Sequence, residues 1–156
     1  MGRDGFDATS QAAICEAAGA TRGALYHHFP DGKPGLFRAV LDEVLSEIVS
    51  RLDAAAGAAA PDERAGTVLD AYFEVALRPD VLRLTLQDAP AVLGLSGWRR
   101  TEQERFLPLI AASSASLGAR MVYGALLEAT LAASEADEPA AVIANAKRLI
   151  IEWTTT

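Results

Sequence analysis

The stretch G-A-T-R-G-A-L-Y-H-H-F, from Gly19 to Phe29, decides the fold of this chain. An alanine-rich helix is predicted before it, from Thr9 to Ala18, and a glycine at position 19 suits the left-handed conformation that ends a helix. Thr21 can cap a new helix, because its hydroxyl accepts a hydrogen bond from an otherwise unpaired backbone N–H. Two short helices joined by so tight a turn predict a helix-turn-helix, whose second helix enters the DNA major groove.

The second helix is predicted from Arg22 to about Phe29, and its two faces differ in character. Leu25 and Phe29 are four residues apart, so they share one face and are expected to pack inward. The opposite face, beside Arg22, carries a glycine that permits close approach, a phenol and an imidazole: Gly23, Tyr26 and His27. Such an outward set fits a helix that reads base edges and phosphates.

Three residues near this helix have two interpretations each. His27 and His28 contact phosphates or bases in one interpretation and are plain solvated side chains in the other. Adjacent histidines point about 100° apart on a helix, and no third ligand is evident, so we predict no metal site. Lys33, after the Pro30-Asp31-Gly32 turn, is either a phosphate anchor or an ordinary surface lysine.

The remainder of the chain has helical periodicity and no alternating β-branched runs, which predicts an all-α fold. Apolar pairs recur every four residues from Leu36 to Leu52, as in a long helix packed in a bundle. We expect an alanine-rich linker near Ala54 to Ala60 and a helix break near Pro90. The last two helices are predicted at 117–133 and 139–153.

Composition and charge limit the class of protein. With 156 residues, of which 51% are hydrophobic, the chain can bury a sizeable core. The net charge of −7 argues against broad affinity for nucleic acid, but residues 1–38 hold four basic and four acidic residues, so this part is neutral. A single cysteine, Cys15, and the lack of a signal peptide or membrane span predict a cytoplasmic location and no membrane partner.

The C-terminal part supplies candidates for ligand binding and for dimerisation. A ligand cavity is one interpretation of four side chains, and core packing is the alternative for each: Trp98, Phe106, Met121 and Tyr123. The last two helices would expose much apolar surface without a partner, which favours a homodimer. The apolar residues that predict this interface are Leu126, Leu127, Leu131, Leu149, Ile150 and Trp153.

The sequence contains no motif that is typical of an enzyme. There is no nucleophile–base pattern, no glycine-rich phosphate loop and no metal-ligand spacing, and Gln87-Asp88 offers a single carboxylate at a helix end. We therefore predict that the chain is not an enzyme and that it requires no cofactor.

The segment from Asp4 to Val40 resembles the tetracycline-repressor (TetR) family of bacterial regulators. The resemblance lies in the order helix, G-x-T-R-G-x-L-Y-H-H-F, proline turn, lysine, Leu-Phe. Gln87 to Gly94, Q-D-A-P-A-V-L-G, followed by a Trp-Arg helix, is also similar to one subgroup's ligand domain. The resemblance covers the chain from residue 4 onward, weakly after Gly97.

This resemblance implies a homodimeric DNA-binding regulator, most simply a repressor, that a small hydrophobic effector releases from its operator. By position, the residues implied to contact bases and phosphates are Thr21, Arg22, Gly23, Tyr26, His27 and His28, with Lys33 on a phosphate and Ala24 at the groove floor. Ala12 and Ala13 depart from the family pattern, because relatives often have polar or charged residues there.

The resemblance also implies a division into two domains. Residues 1–38 are the expected DNA-binding domain and residues 39–156 the helical ligand-binding and dimerisation domain. A typical relative has about one more helix before Gly5-Phe6, so we expect an incomplete three-helix unit, truncated at its N-terminus, that binds DNA weakly or not at all. The alternative function is a dimerising ligand-binding or interaction protein that has lost DNA binding.

Overall fold

A computed structural model describes residues 5–110 and 117–154, and all regular structure in these ranges is helical. The elements in chain order are α1 Gly5–Ala8, α2 Gln11–Ala17, α3 Arg22–His28, α4 Lys33–Ala58, α5 Arg64–Ala76, α6 Pro79–Leu82, a π-helical segment Arg83–Asp88, α7 Ala89–Ile110, α8 Leu117–Glu135 and α9 Pro139–Thr154. The predicted all-α fold is therefore confirmed. Within the same two ranges, no helix has the length and hydropathy that crossing a bilayer requires.

The chain divides into two compact units, which are described separately below. Unit 1 contains residues 1–45 and 79–98, and unit 2 contains residues 46–78 and 99–156. The segment 79–98 thus belongs with the N-terminal helices, although it follows α5 in sequence. The functional division that the sequence predicts at residue 38 stays a prediction.

The core of unit 1 is built on the first half of α4. Phe37, Leu41 and Leu45 recur every four residues along this helix, and each is almost completely buried. Leu25 of α3 and Cys15 of α2 are also buried. On α2, Cys15 is buried and Ile14 half-buried, whereas Ala17 at the end of the helix is exposed.

The core of unit 2 joins α5, α8 and α9. Its buried side chains are Leu69, Phe73, Val122, Leu126, Ala129 and Ile150. The last two helices, predicted at 117–133 and 139–153 from the spacing of their apolar residues, agree with α8 and α9 to within two residues at each end. Helices whose apolar face is continuous and whose ends are marked by turn residues are the most readable from sequence.

Two sequence-based breaks are placed elsewhere by the structure. The expected linker at 54–60 is wrong in its first part, because α4 continues through Ala58; alanine is the strongest helix former and does not interrupt a helix. The expected break near Pro90 is also wrong. Pro90 lies at the start of α7, directly after the π-helical segment, and the chain stays helical through it; the interruption falls at Gly94, with φ +69° and ψ 157°.

Candidate nucleic-acid interface and ligand cavity

The turn between α2 and α3 has the geometry of a helix-turn-helix. Ser10 caps α2, with its Oγ accepting a hydrogen bond from the Ala13 amide at 3.1 Å, and Thr21 caps α3 by accepting from the Ala24 amide at 3.1 Å. Between them Gly19 has φ +60°, the left-handed conformation that ends a helix. The cap at Thr21 and the conformation of Gly19 agree with the sequence-based expectation.

Helix α3 is anchored on one side and exposed on the other. Leu25 is 7% exposed and Phe29 is half-buried, whereas Tyr26 is 49% exposed. Ala24 is half-buried. The other candidate residues of this helix and its cap are exposed: Thr21, Arg22, Gly23, His27 and His28. The structure therefore brings the candidate DNA-contacting side chains of this helix together on its outer surface.

The exposed phenol of Tyr26 is held by a residue that the sequence did not indicate. Its hydroxyl donates a hydrogen bond to Oε1 of Gln11, at the start of α2, at 3.1 Å. In the loop between α3 and α4, a Cβ added to Gly32 would lie 2.9 Å from Gln11 Nε2 and 3.1 Å from Tyr26 Cε1. Gly32, with φ +65°, thus gives this pair the space that it needs. Since Gln11 and Tyr26 are 15 residues apart, no local pattern could have paired them.

The candidate basic residues have different surroundings. The rings of His27 and His28 meet edge to face, with centroids 5.3 Å apart. Within the described part of the chain, no three potential metal-ligating side chains form a group. Lys33 is half-buried, and its ammonium lies 4.1 Å from the centroid of the Phe6 ring. A cation–π contact of this kind holds the lysine beside the start of α4.

Helix α1 is attached to the π-helical segment of the same unit. The Phe6 amide donates to the Asp88 carboxylate at 3.0 Å, and the Phe6 ring meets Phe37 edge to face at 5.3 Å. Gly5 is buried with φ +79°, and a Cβ there would lie 2.4 Å from Arg83 Nε. A Cβ here would displace the guanidinium, and the positive φ is strained for any residue other than glycine.

Unit 2 contains a cavity of about 430 Å³. Apolar side chains from α4, α5, α7, α8 and α9 form most of its wall, among them Leu52, Leu69, Phe106, Val122 and Ile150. Of the four sequence-based candidates, Phe106 and Tyr123 line this cavity, whereas Trp98 and Met121 do not. Trp98 is buried within unit 1, and Met121 is 49% exposed on α8.

Aromatic rings and two buried phenols lie along one side of the cavity. Phe106 stacks on Tyr123 with centroids 6.3 Å apart and meets Tyr72 at 6.5 Å. The Tyr72 hydroxyl bonds to Thr130 Oγ1 at 3.1 Å, and the Tyr123 hydroxyl donates to Glu102, which is 4% exposed. Burial raises the pKa of Tyr72 to about 12, and burial together with the charge of Glu102 raises the pKa of Tyr123.

The six residues expected at a dimer interface fall into two groups. Leu131, Leu149 and Trp153 are exposed, and Leu127 is half-buried. Leu126 and Ile150 are instead buried in the protomer core and line the cavity, so they offer little surface to a partner. Leu117 and Met121, which the sequence-based set does not include, are also large apolar side chains exposed on α8.

The comparisons with known proteins agree with this geometry. Residues 1–40 match the family model for bacterial regulatory proteins of the tetR family, and residues 63–152 match the model for a tetracyclin repressor-like C-terminal domain. A crystal structure of a TetR-family transcriptional regulator from Pectobacterium atrosepticum is 32% identical, with a TM-score of 0.72, and the match covers 97% of this chain and 84% of that one. The chain belongs to the TetR family. No curated protein matches its sequence.

Membership of the TetR family makes this chain a DNA-binding transcriptional regulator with an N-terminal helix-turn-helix and a larger helical domain. The resemblance inferred from Asp4 to Val40 is therefore confirmed. The family model for the N-terminal domain ends at residue 40, inside α4, and the C-terminal model begins at residue 63, just before α5. The remainder of α4 connects the two matched segments.

Proposed function

We propose that this TetR-family protein is a homodimeric repressor that reads operator DNA with α3 and is released by a small hydrophobic effector bound in unit 2. One observation carries the proposal: α3 is anchored by buried Leu25 and turns its polar side chains outward. A helix anchored in this way can enter a major groove without exposing its apolar residues.

The outward residues have distinct proposed roles. Arg22 offers donors for base edges or phosphate oxygens, and Tyr26, whose hydroxyl proton goes to Gln11, offers an acceptor and an aromatic ring. Gly23 lets the groove wall approach the helix backbone. Thr21, His27 and His28 extend this surface toward the flanking phosphates, and half-buried Ala24 lies nearest the groove floor. Lys33 is the candidate phosphate contact at the start of α4, where its ammonium remains close to the Phe6 ring.

The proposed dimer pairs α8 and α9 with the same helices of a second copy. Five large apolar side chains, 37–72% exposed, support this pairing: Leu117, Met121, Leu131, Leu149 and Trp153. Large apolar side chains grouped on two adjacent helices are typical of an isologous interface. The interface proposed here therefore keeps Leu131, Leu149 and Trp153 from the sequence-based set.

The effector is proposed to bind in the cavity of about 430 Å³, whose volume lies in the usual range for small-molecule sites. Its wall is mostly apolar, which supports a hydrophobic ligand. An effector releases DNA only if it binds one conformation of the dimer more tightly than the other. Repression, as opposed to activation, follows most simply from an operator-bound state in the absence of ligand.

Operator selection from random DNA, at about 50 mM salt where phosphate contacts are strong, tests the proposal. We expect enrichment of a two-fold symmetric site. Tyr26→Ala with His27→Ala should then weaken binding of that site about 100-fold, since each good base contact contributes about 1–3 kcal/mol. The control is Glu135→Ala with Asp137→Ala, two exposed residues of unit 2, which should bind as the parent does.

Two results would contradict the proposal. Unchanged affinity of the Tyr26 and His27 variant would remove α3 from DNA recognition. A dimer that binds hydrophobic ligands but enriches no DNA sequence would instead support the alternative, a ligand-binding or interaction protein without DNA binding. Analytical ultracentrifugation of the same samples establishes whether the dimer is intact.

A further inference from the structure

Three hydroxyl-bearing side chains line the cavity of unit 2: Tyr72, Tyr123 and Thr154. Each hydroxyl has one proton to donate and lone pairs with which to accept. The destination of the three protons therefore decides which chemical groups on a ligand these side chains can satisfy.

The proton of Tyr72 is directed to Thr130. Thr130 Oγ1 donates its own proton to the Leu126 carbonyl at 2.8 Å, so in its 3.1 Å bond with Tyr72 it can only accept. Tyr72 must then be the donor. Because burial raises the pKa of Tyr72 to about 12, the phenol keeps this proton at neutral pH.

The protons of the other two hydroxyls are also directed to protein acceptors. Tyr123 donates to the Glu102 carboxylate, and the raised pKa of its phenol keeps the proton in place. Thr154 Oγ1 donates to the Ile150 carbonyl at 2.9 Å, with the Ile151 carbonyl 3.2 Å away. Whichever of these oxygens a ligand reaches therefore offers it only lone pairs.

The charged and amide groups near the cavity lie either at its exposed part or outside its wall. Asp53 and Arg64 line the cavity but are solvent-exposed, and Arg64 Nε already donates to the Ala56 carbonyl at 3.0 Å. The buried amide of Gln103, whose Nε2 has no partner within the described part of the chain, does not line the cavity. Among the described residues of the wall, a ligand thus meets apolar side chains and hydroxyl acceptors, with Asp53, Arg64 and Thr154 at its exposed part.

We propose that the effector is an apolar, ring-containing molecule that carries an amine or hydroxyl donor, and that the cavity discriminates against carboxylates. A donor on the ligand matches the free lone pairs of the lining hydroxyls. A carboxylate would lose its hydration and find no hydroxyl proton in return among the described lining residues, and it would approach the negative charge of Glu102 behind Tyr123. The aromatic side formed by Tyr72, Phe106 and Tyr123 favours a flat ring.

This inference rests on the proposed effector site, but it can be tested without DNA. The probes are three anthracenes of nearly equal size: 2-aminoanthracene, 2-methylanthracene and anthracene-2-carboxylate. Fluorescence titration of the full chain should show the amine binding at least 10-fold more tightly than the methyl compound. The carboxylate should bind at least 10-fold more weakly than the methyl compound. Equal or tighter binding of the carboxylate, or no binding of any probe, overturns the proposal.

Two variants test the lining hydroxyls directly. Thr154→Val removes an acceptor from an exposed helix end, and Tyr123→Phe removes one from the buried side. Each should reduce the preference for the amine over the methyl compound by about 3-fold or more and leave binding of the methyl compound unchanged. If Tyr123→Phe fails to fold because Glu102 loses the hydrogen bond from the phenol, the amine preference of Thr154→Val still tests the proposal. An unaltered preference in Thr154→Val and in any folded Tyr123→Phe contradicts the proposal.

Arg64→Gln is the control for binding at the exposed edge of the cavity. If the carboxylate probe binds through this guanidinium, the variant will lose that binding, while its affinity for the amine probe will be unchanged. Tight binding of the carboxylate by the parent protein contradicts the proposal. Failure of the repressor function is distinguishable from failure here. If the protein ranks the probes as expected but selects no operator, the proposed ligand class stands and the proposed repressor function is contradicted.

Discussion

The two units of this protein arrange their functional side chains in opposite ways. In unit 1 the candidate DNA contacts lie outward on a seven-residue helix, which is anchored by one buried leucine. In unit 2 the candidate ligand contacts face inward from five helices around a cavity. The first arrangement depends on the periodicity of one short segment, whereas the second depends on how distant segments pack. This difference explains which functional residues could be found from the sequence.

The largest test of this comparison replaces the central aromatic residue of each unit. Phe37→Ala in unit 1 and Phe73→Ala in unit 2 each remove a side chain that is 0–3% exposed. Each should lower the free energy of unfolding by about 3–5 kcal/mol, through lost burial and the cavity that remains. Urea unfolding followed by circular dichroism measures the effect, with Glu74→Ala, an exposed position on α5, as the control.

The two substitutions also test whether the units unfold separately. If they do, the fluorescence of Trp98, which is buried in unit 1 and is measured in a Trp153→Phe background, will shift in the Phe37 variant and not in the Phe73 variant. Coincident shifts of fluorescence and circular dichroism in both variants would show one cooperative transition. A loss below about 1 kcal/mol in either variant would contradict the assigned core.

A second test uses alkaline pH and concerns unit 2. The folded pKa of Tyr72 is about 12, against the ordinary value of 10.0. The unfolded chain therefore releases this proton first, so the contribution of Tyr72 to stability is complete below pH 10 and decreases as pH rises toward 12. We expect the melting temperature to fall over this range, and Tyr72→Phe should make the fall smaller. A variant with the same alkaline profile as the parent would contradict the buried phenol.

A third test concerns the close approach of α1 to the π-helical segment in unit 1. Gly5→Ala introduces a Cβ within 2.4 Å of Arg83 Nε at a residue with φ +79°. The strain and displacement should cost about 1–3 kcal/mol. Thermal unfolding measures the cost, and Gly66→Ala is the matched control, because a Cβ there meets no atom within 4 Å. Equal melting temperatures of the two variants would contradict the contact.

The smallest expected effect concerns the caps of the helix-turn-helix. Ser10→Ala and Thr21→Ala each remove a side-chain acceptor for a backbone amide at 3.1 Å, which should cost about 1 kcal/mol each. Hydrogen exchange of the Ala13 and Ala24 amides should become faster in the respective variant. Thr21→Ser retains the hydroxyl and should restore protection, and a Thr21→Ser variant as labile as Thr21→Ala would contradict the cap.

Sequence periodicity gave α3, α8 and α9 because each has a local signal at its ends and along its apolar face. The sequence-based break at Pro90 occurs instead at Gly94, because the chain stays helical through Pro90, whereas a glycine with positive φ interrupts the helix. Periodicity also predicted exposure for Leu126 and Ile150, which line the cavity. An apolar residue on an amphipathic helix gives no sign of whether its own chain or a partner covers it.

The amino-acid sequence by itself determined the helix-turn-helix and its family, because capping hydroxyls, a left-handed glycine and a four-residue apolar spacing act within a few residues of each other. Tertiary structure alone decided that Gln11 holds Tyr26, that Phe106 and Tyr123 line a cavity while Trp98 does not, and where each hydroxyl proton points. The physical reason is distance along the chain. A hydrogen bond or cavity wall between residues 15 to 100 positions apart requires a packed fold, and no local pattern encodes it.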